Sequence, residues 1–203
     1  MRKSPPRWPT IKRSELPLDT LLLARYLIGK LLVRQTSRGT LSGRIVETEA
    51  YPIGDLAGHA YAGKTTRNRS LFNCRGYAYV YLAYGTSYLF NVSSETAGVG
   101  AGVLIRALEP LTGMSSMERN RGLHSVRDLA RGPGRLTAAL EIDRRLDGID
   151  LCRAGSLWLG HDNHPVLEIG VSTRIGLSRE RNQLRRFYVR GSPFVSGPKK
   201  LNR

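Results

Sequence analysis

The chain has 203 residues, 40% of them hydrophobic, which suits a single domain with a substantial core rather than a disordered or fibrous protein. Lys and Arg number 32 against 16 Asp and Glu, and the formal charge of +16 makes a field that attracts polyanions. Only Cys74 and Cys152 are present, and no apolar run reaches membrane-spanning length, so disulfide-stapled and membrane-embedded classes are set aside and a reducing cytoplasm is expected.

In chain order, residues 1–15 lack the apolar core of a signal peptide and read as a flexible basic arm, with a single domain expected over 16–203. Asp19 is placed to cap a helix running to about Ile28, with Leu21, Leu22, Ala24 and Leu27 partly buried and Gly29 ending it. Leu31 to Gln35 and Leu41 to Tyr51 read as a hairpin around Ser37-Arg-Gly39. Pro52 to Asn73 is a long polar segment, a length usual for functional loops. Tyr77 to Ala83 and Tyr88 to Ser93 read as strands joined at Gly85-Thr-Ser87, and Gly102 to Leu108 as another, closed by Glu109-Pro110. Short helices are expected at Ser116 to Arg121, Val126 to Ala130 and Arg135 to Leu140. Weaker strand signals follow at Leu157 to Gly160, Val166 to Val171 and Phe187 to Val189. The mixture predicts an α+β fold with a largely antiparallel sheet.

Alternation along a strand places residues two apart on one face. It puts Ile45, Glu47, Glu49 and Tyr51 together, and likewise Tyr77, Tyr79 and Tyr81. A strand-borne carboxylate can hold a water and take its proton, or it can simply pair with an arginine such as Arg44 or Arg106. Glu47 and Glu49 are too close along one strand to straddle a substrate. Tyr84 stands against Gly85 at a hairpin tip, where an aromatic can wedge between base pairs or cover its own hairpin. Gly132-Pro-Gly134 ahead of a helix is a weak phosphate signal. The four histidines and two cysteines show no metal-ligand spacing, so neither a metal nor a cofactor is expected. These residues alone leave an enzyme and a non-catalytic nucleic-acid-binding module both open.

The chain closely resembles the alkyladenine (3-methyladenine) DNA glycosylase family from about Leu16 to Ser196. The matching words are Leu23-Ala-Arg-Tyr-Leu-Ile-Gly29, Gly43-Arg-Ile-Val-Glu-Thr-Glu-Ala-Tyr51, Thr66-Arg-Asn-Arg69 and Tyr79-Val-Tyr-Leu-Ala-Tyr-Gly85. They continue with Asn91-Val-Ser93, Val103-Leu-Ile-Arg-Ala-Leu-Glu-Pro110, Gly132-Pro133 and Arg186-Phe-Tyr-Val-Arg-Gly-Ser-Pro193. The resemblance implies a curved antiparallel sheet flanked by helices, a protruding hairpin, and a monofunctional hydrolase acting as a monomer on damaged double-stranded DNA. Its expected lesions are 3-methyladenine, 7-methylguanine, hypoxanthine and ethenoadenine. Its expected place is the cytoplasm, with the nucleoid in a bacterium.

The same resemblance implies the roles. Glu49 is the general base, and Arg106 helps hold the water together with the main-chain carbonyl of Ile175. Tyr51, His59 and Tyr81 sandwich the flipped base, and Asn91 stands at the pocket rim. Tyr84 fills the gap in the duplex. Arg67 and Arg135 contact phosphates, the latter where relatives also carry a lysine. Two places depart from the pattern. Thr86 and Ser87 replace the Met and the bulky aromatic or His common after the Tyr-Gly of the hairpin, which makes the wedge slimmer. The loop from Tyr51 to His59 differs in length from some relatives. A third reading, a domain of a transferase acting on tRNA, shares only the fold argument.

Overall fold

A long central strand organises the molecule. A computed structural model describes residues 8–165 and 168–202. Helix α1 (Thr20–Leu27) starts where the Asp19 side chain accepts a hydrogen bond from the Leu22 amide at 2.8 Å, a cap that contributes about 1 kcal/mol. Strands β1 (Leu31–Thr36) and β2 (Gly39–Tyr51) follow, then β3 (Ala78–Ala83), β4 (Ser87–Ser93) and β5 (Gly102–Thr112). Helices α2 (Met114–Arg121), α3 (Val126–Leu129) and α4 (Pro133–Ala139) come next, then β6 (Leu157–Gly160), β7 (Ile169–Ser172) and β8 (Arg186–Val189).

All strand pairings are antiparallel and join into one curled eight-stranded sheet, ordered β3-β4-β5-β2-β1-β6, with β8 pairing β2 and β7. β5 runs along one edge of β2. The other edge is shared: β1 pairs Gly39 to Arg44, and β8 takes over at Glu47, Thr48 and Glu49. The helices cover one face, where Leu23, Ala24 and Leu27 of α1 and Leu136 and Ala139 of α4 pack with Ile45, Ala50, Val103, Ile105 and Leu108. Each leucine buried there contributes about 2 kcal/mol. The opposite face carries the polar residues treated below.

The structure departs from the expectations at several points. Leu22 faces solvent, 60% exposed, and Leu23 takes its place in the core, because the buried stripe of a helix capped by Asp19 runs through Thr20, Leu23, Ala24 and Leu27 at the i, i+3, i+4, i+7 spacing. β5 does not stop at Glu109-Pro110. Pro110 pairs with Gly43 inside the strand, which a proline tolerates because β4 accompanies only Gly102 to Leu104 on that side. Ile45 does not share the face of Glu47 and Glu49. The β2–β5 register shifts between Ile45 and Glu47 and again between Glu47 and Thr48, a bulge that turns Ile45 into the core and Val46 toward Tyr188 and Val195. Tyr77 leaves Tyr79 and Tyr81: it bridges to Asp150, with the Arg13 guanidinium 4.5 Å from its ring centre. Of the expected arm, residues 1–7 lie outside the described residues, whereas Thr10 bridges to Gly160, Ile11 is fully buried and Arg13 pairs with Asp150, so the packed fold begins before Leu16. Of the strand expected at Val166 to Val171, 166 and 167 lie outside the described residues.

Candidate active site

Beyond the bulge, β2 aims Glu47, Glu49 and Tyr51 at one face of the sheet, and Arg106 reaches them from β5. The two glutamates are both fully buried yet held differently. Glu47 accepts from Arg106 Nε at 3.0 Å, from Arg186 Nε at 2.7 Å and from the Ser196 amide at 2.7 Å. Arg186 in turn donates to Ser172 Oγ, Asn202 Oδ1 and the carbonyls of Ser196 and Leu201. Burial opposes the charge on Glu47, but Arg106 and Arg186 outweigh it and hold the carboxyl below the usual range. Glu47 is thus a counter-charge with no task at the cavity. Arg44 pairs instead with Glu109 and Asp162.

Glu49 accepts hydrogen bonds from the Ile175 amide at 2.7 Å through Oε1 and from the Tyr51 hydroxyl at 3.0 Å through Oε2, and forms an ion pair with Arg106 Nη1, 3.2 Å from Oε2. The two hydrogen bonds take two of the roughly four lone-pair sites of a carboxylate. Burial dominates and raises its pKa above the ordinary value, against the pull of Arg106, the Ile175 amide and Tyr51. Burial, and then the Glu49 charge, keep the Tyr51 hydroxyl protonated and donating. The sequence expectation had the carbonyl of Ile175 beside Arg106; the structure puts the amide of that residue on Glu49.

Glu49 does not itself line the neighbouring cavity of about 670 Å³, but its three partners Tyr51, Arg106 and Ile175 do. His59, Tyr79, Tyr81, Asn91, Arg67 and Asp55 are also among its lining residues. The His59 ring leans on Tyr81 with centres 4.3 Å apart, and Tyr81 stacks on Tyr79 at 5.2 Å. His59 Nδ1 meets the Tyr79 hydroxyl at 3.0 Å. Burial, and then Arg67, push the His59 pKa down, so its ring is neutral at pH 7. Burial lifts the Tyr79 hydroxyl to about 12. Asn91 is nearly buried and donates to the Tyr79 carbonyl at 3.3 Å. His59, Tyr79 and Tyr81 form one contiguous aromatic wall of the cavity, with the Asn91 side chain beside it. A purine-sized ring can stack on such a wall.

Tyr84 occupies the hairpin tip beside the cavity. Its ring is 95% exposed, and both Tyr84 (φ 50°) and Gly85 (φ 71°) are in the left-handed region. The Thr86 amide closes the turn on the Ala83 carbonyl at 3.1 Å. Such turns favour Asn or Gly, so a tyrosine there is held against local preference, at a cost of about 1 kcal/mol. Arg67 donates to the Leu82 carbonyl and leaves its outer edge at the cavity mouth. Arg135 is half-exposed, 3.4 Å from Asp128.

Sequence reasoning did not single out Tyr79 as part of the aromatic wall, nor Arg174, Asp55, Arg186 or Ser196. Arg186 lies in one of the quoted words, but nothing in the pattern marks it as buried. Among the described residues no cluster of His, Cys, Asp or Glu has metal-binding geometry, Cys74 and Cys152 are free thiols, and no helix is long and apolar enough to cross a membrane.

Comparison with known proteins points the same way. Residues 14–193 match a family model described as methylpurine-DNA glycosylase (MPG). A protein of Mesorhizobium japonicum, provisionally named 3-methyladenine DNA glycosylase, is 67% identical over 193 residues, covering 95% of this chain and 93% of its own. Proteins with the same provisional name from Paraburkholderia phytofirmans and Chlorobium phaeobacteroides are 53% identical over 189 residues and 45% identical over 182. They cover 93% and 89% of this chain, and 89% and 92% of their own.

Proposed function

The chain belongs to the methylpurine-DNA glycosylase family, and from that premise we propose that it hydrolyses the N-glycosidic bond of alkylated or deaminated purines flipped out of duplex DNA. One observation carries the reading: a buried glutamate is held by two hydrogen bonds and an arginine ion pair, and all three partners line an aromatic-walled cavity in a protein of charge +16. Its purines are 3-methyladenine, 7-methylguanine, hypoxanthine and ethenoadenine.

A base inside a duplex hides its glycosidic bond, so the nucleotide rotates out at a cost of a few kcal/mol. Tyr84 fills the gap and offsets that cost by stacking. Tyr51, His59 and Tyr81 hold the base, and their π-faces favour purines made cationic by alkylation. Asn91 screens the purine edge. A water at the junction of Tyr51, Arg106 and Ile175 then attacks the sugar as the bond to the base breaks, and Glu49 takes its proton. The carboxylate charge also stabilises the oxocarbenium character of the sugar. A purine made cationic by alkylation takes the bonding pair and leaves as the neutral base, whereas a neutral purine such as hypoxanthine leaves as its anion and takes a proton from water; the other product is an abasic site. No lysine lines the cavity among the described residues, so no Schiff base forms there and the strand stays uncut.

The direct test is base release from alkylated duplex DNA, read by chromatography of the freed purine. A binding module would retain the DNA and release nothing. The pH dependence carries a second check. Glu49 works as the carboxylate, and its raised pKa keeps the proton on to a higher pH than usual. The single-turnover rate on a 7-methylguanine duplex should therefore fall, as pH drops, in a limb lying above the ordinary glutamate value of 4.5. A limb at or below that value would remove Glu49 from the role.

Salt dependence tests the phosphate contacts. Duplex affinity should fall with a log–log slope of roughly −0.9 per neutralised phosphate. Arg67→Ala and Arg135→Ala should each make the slope shallower by about 1. If both leave it unchanged, neither side chain touches the backbone.

A further inference from the structure

We infer that Arg174, behind the wall of the cavity, is a positioning residue for Glu49, because it secures both neutral donors that hold the carboxylate. This rests on the glycosylase reading above. Arg174 is fully buried and does not reach the cavity surface. Its guanidinium carbon lies over the Tyr51 ring, 4.5 Å from the ring centre. Its Nη1 donates to the Ala50 carbonyl at 2.9 Å, on the residue between Glu49 and Tyr51. Nη1 and Nη2 both reach Asp55, which is also fully buried and takes a further bond from Arg185 at 3.0 Å. The next residue along, Ile175, donates its amide to Glu49. One side chain thus clamps the ring whose hydroxyl reaches Glu49, the backbone that carries Glu49, and the loop whose amide reaches Glu49.

The same pair also anchors the cavity wall. Asp55 accepts from the Ala57 amide at 2.9 Å, and the Gly58 amide closes on the Asp55 carbonyl at 2.8 Å, directly ahead of His59. Stability alone would not favour this design. Burying a guanidinium and a carboxylate is costly, apolar replacements are often as stable, and Arg174 Nε has no partner among the described residues. What the pair supplies is fixed geometry, and a misplacement of about 1 Å at a reacting group can cost about 100-fold in rate.

The test is single-turnover excision from a 7-methylguanine duplex across pH for wild type, Glu49→Gln, Arg174→Lys and Arg174→Met. The charged and titratable groups around Glu49 are Glu47 and Tyr51 on β2, Arg106 on β5, Arg186 opposite it on β8, and Arg174 on this loop. Loosening Tyr51 and the Ile175 amide takes two donors from the charged form, so the acid limb moves to higher pH. Arg174→Met should lower the plateau rate about 10- to 100-fold, and Arg174→Lys, which keeps the charge without the planar fork, by less. Both should keep affinity for undamaged duplex within about 3-fold, since the clamp touches no residue assigned to a phosphate. A limb position does not depend on the fraction of folded enzyme, so a merely structural loss would leave it in place.

Should Arg174→Met fail to fold for want of a partner for Asp55, Asp55→Asn with Arg174→Met removes both charges and should show the same limb shift. An unmoved limb in the folded variants overturns the inference. Wild type that releases no base would instead overturn the glycosylase reading. Wild type that releases base, with Glu49→Gln inactive and the Arg174 variants like wild type, would sink this inference alone.

Discussion

Glu49→Gln should release no methylated base above background while still holding lesion DNA. The glutamine keeps the size of the side chain and an oxygen for the Ile175 amide, which now donates at 2.7 Å. It loses the basic oxygen that takes the proton of water. Loss of a general base costs about 10²- to 10⁴-fold in rate, or roughly 2.7 to 5.5 kcal/mol of barrier. Folding should survive, because Arg106 keeps a buried carboxylate partner in Glu47 at 3.0 Å. Binding should survive as well, since the exposed arginines and Tyr84 are untouched. The measurement is single-turnover excision beside a binding titration at one salt concentration. Excision within a few fold of wild type would end the assignment of Glu49 as the base.

The second large effect is expected at the hairpin tip. Tyr84→Ala should slow excision roughly 5- to 150-fold in fully paired duplex, the rate equivalent of the 1–3 kcal/mol that base–aromatic stacking is worth. The loss should shrink when the lesion faces a mismatch or a gap, because flipping is cheaper there. With Thr86 and Ser87 as its neighbours, Tyr84 is the large side chain available at the tip to fill the vacated space. Melting should hardly change. The ring is 95% exposed, and alanine inherits the same left-handed backbone, so about 0.5 kcal/mol and a shift of about 1–2 °C are expected. Equal losses on all three substrates, or a large drop in melting temperature, would make Tyr84 a structural residue.

Where local chemistry decides, the fold was legible. The Asp19 cap, the β1–β2 hairpin and the β3–β4 hairpin follow from side-chain patterns spanning a few residues, and the structure has them within one or two positions. What escaped depends on partners far along the chain. The bulge at Val46 arises where β2 changes neighbours from β1 to β8, and strict alternation placed Ile45 on the wrong face. Tyr77 follows Asp150 and Arg13 rather than its own strand period. At the candidate site, Glu49, Arg106, Tyr51, His59, Tyr81 and Asn91 were named from the resemblance, and the structure brings them together. Arg174 and Arg186 were not, because a buried arginine has the same letter as a solvated one. In a chain so rich in arginine, only the fold separates them.

The tether between Glu47 and Ser196 has a consequence for biosynthesis. The two residues are 149 positions apart, yet the Ser196 amide and Arg186 on β8 complete the charge network that fixes Arg106. On the ribosome, β2 emerges long before β8, and its Glu47–Glu49 stretch waits with one edge open and its carboxylates unpaired. Closure over so long a separation is slow compared with hairpin formation. A chain ending ahead of Ser196 would lack the amide that meets Glu47 and with it part of the network that holds Arg106 beside Glu49, while keeping most of its arginines.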